Sequence, residues 1–402
     1  MKNIRVKSFG PIVDSGLIKV MPVTVFCGAQ GSGKSTLAKL VSVCSWIEKS
    51  IMRHQIKPTD VTRYNHFAKR YCAYHNILSY FNNDTVIEYD GDGISLAYEG
   101  GKTNITKAPT GAYIMPQICY IPAERNLLLA IERAEKIRRL PAALDDLMSV
   151  YRDALQCASL PKSLPLDGTF AVTYDKLNHV SWLHGDGFRI RTQEAASGFQ
   201  SLIPLLLVTR YHSKRVSEVA PSPMNVEERE QLYREIRQIL TNTRLTAEIR
   251  AQLIAELNAG LLNECFINIV EEPEQNLFPL TQEKVLYELL AEYGRSKYNS
   301  LLLTTHSPYI LNALSLAVKA GELLDMTVDN KDLRERLNAV VPVESCVNSD
   351  AVTIYQLTSS GTVDRLPMPN GLPSDDNFLN NSIERSNQLF DQLLQIEDDA
   401  QD

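Results

Sequence analysis

Val23-Thr-Val-Phe-Cys-Gly28-Ala29-Gln30-Gly31-Ser32-Gly33-Lys34-Ser35-Thr36-Leu37-Ala-Lys-Leu40 joins an apolar run to a helix-period run through a glycine-rich turn. Glycine, four residues and then Gly-Lys-Ser lets the backbone curl until successive N–H groups face one point, the geometry that cradles phosphate oxygens. Lys34 adds a point charge suited to the β and γ phosphates of a nucleotide. The Ser35 hydroxyl suits Mg2+, and Thr36 falls in the first turn of a helix whose positive end faces the anion. A strand before and a helix after are the context this loop requires, and both are written in the sequence.

The rest of the chain must supply a body for that loop. Its 402 residues suffice for one large α/β core with an embellishment or for two domains. Hydrophobic residues at 44% against 22% charged exclude a disordered chain. No apolar run reaches the roughly 18 residues of a membrane helix, and Met1 to Phe9 alternates and carries charge, so it reads as a strand rather than a signal peptide. A cytoplasmic protein without membrane contact is expected. Seven cysteines, at 27, 44, 72, 119, 157, 265 and 346, form no Cys-x-x-Cys pair, which argues against a zinc site or a disulfide framework. A net charge of -7 gives no global attraction to nucleic acid, so any such contact needs a local patch.

Working outward, two strands around Gly10-Pro11 precede the loop, and residues 41–81 read as mainly helical, their recurrent Tyr and His being packing and surface side chains. Asp90-Gly-Asp-Gly93 sits between two alternating runs, a hairpin signal, and 100–110 is polar. Cys119 to Pro122 reads as a short buried strand ending in Glu124-Arg125-Asn126, with a helical stretch at 127–157 broken at Pro141. Residues 222–262 read as a two-helix insertion. Beyond His306 the pattern gives a hairpin, a polar linker and one helix, the hairpin and helix lying within 350–402. The expectation is a single α/β domain over 1–402 with a mixed central sheet, an antiparallel β portion at its N-terminus and helical insertions.

Three further motifs narrow the chemistry. Phe266-Ile-Asn-Ile-Val270 is an apolar run delivering Glu271 and Glu272 at its C-terminal end, where ligands of open α/β sheets gather. Successive strand-end residues point differently, so one carboxylate can hold Mg2+ through water while the next orients an attacking water. Leu301-Leu-Leu-Thr-Thr-His306 is a second such run, and an imidazole at its end both donates and accepts near neutral pH. Glu194-Ala-Ala-Ser197-Gly198-Phe199-Gln200 opens a helix, and Ser197 with that helix N-terminus forms a second anion site.

In chain order, phosphate loop, Ser-Gly-x-Gln helix start, Glu-Glu-Pro strand and His strand, the motifs resemble the ABC-type P-loop ATPase superfamily over residues 1–315. Ser8-Phe-Gly10, Glu271-Glu-Pro-Glu274 and Thr304-Thr-His-Ser-Pro308 look like its SMC, RecF and OLD branch. The resemblance implies the ABC-type fold, ATP and Mg2+ as cofactors, and a homodimer or higher oligomer with ATP sandwiched between subunits. Carried over, Gly28 to Thr36 bind phosphate with Ser35 and Glu271 toward Mg2+. Ser197, Gly198 and Gln200 form the signature that closes on the partner's nucleotide, Glu272 is the catalytic base and His306 the γ-phosphate switch. Phe199 replaces the second signature glycine, Ala196 the usual leucine, and Glu271 the usual aspartate. For the family's glutamine loop, Gln117 precedes the strand and Glu124 or Arg125 follow it; the latter pair is favoured because strand ends face the ligand.

The long connection at 222–262 argues against a transporter subunit, and no stretch sustains the heptads of SMC arms. With no second acidic α/β unit to act as a nuclease, output is expected from a separately encoded effector, a nuclease or toxin, as in ATPase components that resemble those of bacterial anti-phage systems. The alternatives are a DNA-repair ATPase acting directly on DNA and a low-turnover ATP-binding scaffold.

Overall fold

The structure is a computed structural model that describes residues 2–108, 113–130, 140–166, 168–218, 226–242, 245–260 and 262–401. Three strands open the chain: β1 (Lys2–Phe9), β2 (Ile12–Val20) and β3 (Val23–Gly28). In β1 the alternation is literal, with Ile4 and Val6 buried while Arg5 and Lys7 reach Asp14 and Glu88 on the other face. β4 (Val86–Asp90) and β5 (Ile94–Glu99) form the hairpin signalled by the Asp-Gly pairs. The polar stretch after it supplies β6 (Lys102–Lys107) behind the Gly100-Gly101 turn. An edge strand needs apolar residues only on its inner face, and here that face offers Thr103 and Ile105. The resulting antiparallel sheet runs β2-β1-β4-β5-β6.

The strands β7 (Pro116–Ile121), β11 (Cys265–Glu271), β12 (Ser300–Thr305) and β13 (Val352–Leu357) lie parallel to β3, and β14 (Val363–Arg365) pairs antiparallel at the edge. This mixed sheet has the order β14-β13-β3-β12-β11-β7, and β8 (Ala171–Asp175), β9 (Val180–Gly185) and β10 (Phe188–Arg191) make a separate small sheet. Every residue of β3 and β11 is buried, which is why both read as unbroken apolar runs. Val23, Val25, Leu301, Leu303, Phe266 and Val270 join the core on one face, and Phe26, Leu302, Ile267 and Ile269 join the core on the other. The mixed α/β architecture with an antiparallel N-terminal portion is therefore as expected.

Two assignments change. Beyond His306 stand the helices Pro308–Leu324 and Lys331–Val340, neither read from the sequence. The first is started by Ser307, whose side chain accepts from the Tyr309 N–H, with Pro308 in its first turn, and Ile310, Leu311 and Leu314 enter the core. The late hairpin, moreover, is no appendage, since β13 lies directly against β3. Within 41–81 the helix Lys34–Met52 ends early and short turns follow, among them Pro58–Thr62. Val226–Thr241 and Ala247–Gly260 are helical, as are Leu127–Ala130 and Ala142–Gln156, whereas 131–139 lies outside the described residues. All seven cysteines are free thiols. Among the described residues no helix is long and apolar enough to cross a membrane.

A buried charge fixes the Lys34–Met52 helix to the antiparallel sheet. Glu48 is fully buried in the Lys34–Met52 helix and accepts from the Gly93 N–H (2.6 Å) and the Tyr89 hydroxyl (2.8 Å), with Lys2 Nζ at 3.4 Å. An unpaired carboxylate there would cost several kcal/mol, so these three partners decide that the helix sits in one place.

Candidate functional site

β3 ends at Gly28, where a Cβ would lie 2.4 Å from the Leu357 carbonyl oxygen of the neighbouring strand; only glycine permits that approach. Gly33 then takes φ 104°, and the helix begins at Lys34 with no side-chain cap and no acidic residue in its first turn. Among the described residues no side chain caps its leading N–H groups, the donors that a helix start offers to an anion. Ser32 Oγ is buried and finds no hydrogen-bond partner among the described residues. Lys34, buried, donates to the carbonyls of Gly28 (2.9 Å) and Ala29 (2.7 Å). Burial lowers its pKa, and the charges of Glu272, Glu274 and Glu271 oppose the shift. An open helix start, an orphaned hydroxyl and an internally held ammonium fit a triphosphate.

The carboxylates gather at the ends of β11 and β12. Glu271, buried, accepts from the Tyr120 hydroxyl (2.5 Å) and the Ala123 N–H (3.4 Å). Burial raises its pKa, Lys39 works against that, and the nearby charge of Glu124 adds to it. Glu272 has φ 43°, rare for a side-chain-bearing residue, with its N–H donating to the Thr304 carbonyl at 2.9 Å. Glu274 is buried and accepts from Thr305 Oγ1 (2.7 Å) and the His306 N–H (2.8 Å). His306, half exposed, places Nδ1 3.6 Å from Glu272 Oε1 and 3.4 Å from Glu274 Oε1. Among the described residues no three His, Cys, Asp or Glu side chains converge as a metal cage.

The Glu272–His306 pair shifts both partners. The His306 hydrogen bond holds the Glu272 carboxyl below its ordinary range, and the Glu272 hydrogen bond holds the His306 imidazole above its own. A raised His contributes stability below its ordinary pKa and loses it as pH rises through the raised value. A lowered Glu contributes above its ordinary pKa and loses it as pH falls through the lowered value. The pair is thus complete between those limits, a window that includes mildly acidic pH. NMR titration of the His306 ring is expected to give a midpoint above 6.5, displaced downward in Glu272→Gln; an unmoved midpoint would assign the shift to another group.

The Ser197–Ser217 helix begins at Ser197, which is exposed, with Ala196 rather than Ser197 at the cap position and no side-chain cap bond. Gln200 is turned inward, its Nε2 donating to the Gln193 carbonyl at 2.8 Å. Phe199 packs on Phe170 with ring centroids 5.3 Å apart, which gives the replaced glycine a structural occupation. The structure brings Lys34, Glu271, Glu272 and His306 together at one end of the main sheet. Gln117 lies at the opposite end of its strand, bonded to Asn263, and Glu124 is exposed beyond the strand. Arg125 departs from expectation: it is wholly buried and turned to backbone carbonyls rather than toward the loop. Tyr120 lies outside the residues read as a site, and Glu274 enters the sequence reading only as the end of the Glu271–Glu274 run, without a role. A tyrosine and a carboxylate beside buried strands, where polar groups need partners, were the available signal.

No protein-family model and no curated protein matches the chain. Among solved structures it is similar to the SMC head domain from Thermotoga maritima at 10% identity and TM-score 0.36, covering 91% of this chain and 97% of that one. It is also similar to the recombination mediator protein RecF-ATPrS in the RecFOR pathway, at 10% identity and TM-score 0.32 with the same coverage.

Proposed function

We propose that this chain is an ABC-type ATPase that binds MgATP, dimerises around it and acts as a switch over a separately encoded effector, in a setting of bacterial anti-phage defence. The observation that carries the ATPase reading is the Glu272–His306 pair at the strand ends beside the Lys34 loop. Lys34 and the loop N–H groups would hold the phosphates, and Ser35 and Glu271 would hold Mg2+. Bound there, Mg2+ would neutralise charge on the phosphate oxygens. Glu272 orients and deprotonates the attacking water, and His306 positions that carboxylate and reaches toward the terminal phosphate. Exposed Ser197, at an uncapped helix start, supports a signature offered to a partner's nucleotide.

The test is Mg2+-dependent ATP turnover by the purified chain together with its ATP-dependent elution volume. Turnover with a shift to dimer is expected, and the absence of both would overturn the ATPase reading. For the defence role, cells carrying the gene with its neighbouring reading frames are challenged with phage. Protection lost in Lys34→Met is expected, and equal plating of cells with and without the genes would overturn that role.

A further inference from the structure

Arg125 is 0% exposed, an unusual place for a guanidinium, and its donors go to backbone carbonyls of three separate segments. Nη1 donates to Glu271 (2.7 Å) and Pro122 (3.3 Å), Nη2 to Glu272 (2.7 Å), and Nε to Ser201 (3.1 Å). Burial pulls its pKa down to about 10, with the carboxylates at 274, 272, 271 and 124 opposing, so the charge survives at neutral pH.

Those carbonyls control the direction of Glu272. The peptide unit before its Cα is held at both ends, the Glu271 carbonyl by Arg125 and the Glu272 N–H by Thr304. The unit after it leads into Pro273, which has no N–H, so the Glu272 carbonyl is its one polar handle. Arg125 and the Gln275 N–H share that handle. A positive φ at a glutamate is strained and persists only where the surroundings over-determine it; Arg125 binds both carbonyls that flank the strained Cα. Ser201 brings in the third segment, the helix whose start is exposed at Ser197. That start is in tight contact with the residues after Glu272. A Cβ on Gly198 would lie 2.8 Å from the Asn276 carbonyl oxygen, and Asn276 Nδ2 donates to Ser201 Oγ at 3.1 Å.

We propose that Arg125 is a positioning residue that ties the start of the Ser197–Ser217 helix to the backbone of Glu271 and Glu272, so that a contact made at Ser197 resets the aim of the Glu272 carboxylate. The proposal rests on the ATPase reading for its catalytic consequence and on the hydrogen bonds alone for its mechanical one. A lysine keeps the charge but cannot fork to three segments.

Arg125→Lys is therefore compared with wild type by hydrogen exchange of the nucleotide-free protein and by steady-state ATP hydrolysis. Expected is a roughly tenfold faster exchange confined to 197–202 and 271–277, with kcat lowered about 10-fold to 100-fold and KM for ATP nearly unchanged. Exchange and kcat both within about twofold of wild type, or an even rise across the chain with kcat unmoved, would overturn the proposal. Should Arg125→Lys fail to fold, Ser197→Trp, a bulky change at the exposed helix start that leaves every Arg125 bond in place, is expected to change exchange at 271–277 as well, and a change confined to 197–202 would overturn the link. If the wild type does not hydrolyse ATP, the ATPase reading falls, and the exchange result decides the link by itself.

Discussion

Glu272→Gln is expected to lower MgATP turnover by about 10²-fold to 10⁴-fold, the range for losing a positioned general base, while ATP binding persists and a nucleotide-held dimer accumulates. The amide keeps the size of the side chain but cannot take a proton. The carboxylate has what the role requires: it stands at a strand end, partly exposed, ionised through neutral pH because His306 holds its pKa down, and fixed by a constrained backbone. Its neighbours are poor substitutes. Glu274 is buried and occupied by Thr305 and the His306 N–H, and Glu271 is buried against Tyr120. Single-turnover hydrolysis with size-exclusion chromatography in ATP checks both parts. Turnover within about threefold of wild type would mean that another group removes the proton, and loss of binding would mean that Glu272 supports the loop rather than the water.

The parts of this molecule legible in the sequence are those whose burial is local. β3, β11 and β12 are covered on both faces, so their apolar runs announce them, and the glycine loop after β3 and the polar residues ending β11 and β12 mark the strand ends where chemistry gathers. β6 was hidden because a polar edge strand needs little apolar signal. The hairpin at β13 was visible as a hairpin, but its place against β3 is a pairing across more than three hundred residues that no local pattern encodes. Arg125 shows the same limit more sharply. Its position after a strand end was apparent, yet a long side chain there can turn outward to a ligand or inward. The decision was made by carbonyls at 201, 271 and 272, distant in sequence. Phe199 looked like a departure from a motif until Phe170 supplied its packing partner.

Lys34→Met is expected to weaken MgATP binding by about 10²-fold to 10³-fold while leaving the fold intact. Two charge-assisted hydrogen bonds to phosphate oxygens, at roughly 1.5–2 kcal/mol each within the range for charged partners, total about 3–4 kcal/mol, and 1.4 kcal/mol is a factor of ten. The structure argues that the fold survives. Lys34 is a buried cation whose pKa burial lowers, so removing it relieves a desolvated charge, and the methionine stem keeps most of the volume. Against that stand the Gly28 and Ala29 carbonyls, which lose a donor, a penalty of about 1–3 kcal/mol apiece only where water is excluded. Ala29 is only partly buried, and the loop opens to solvent at Gln30 and Gly31, so water can replace the ammonium there. The two effects oppose and leave the melting temperature close to wild type. Nucleotide titration by calorimetry and a thermal melt of the same sample separate them. Binding within about threefold of wild type in a folded variant would place the phosphates somewhere other than this loop, and the strand-end carboxylates would then have lost the partner that gives them a reaction.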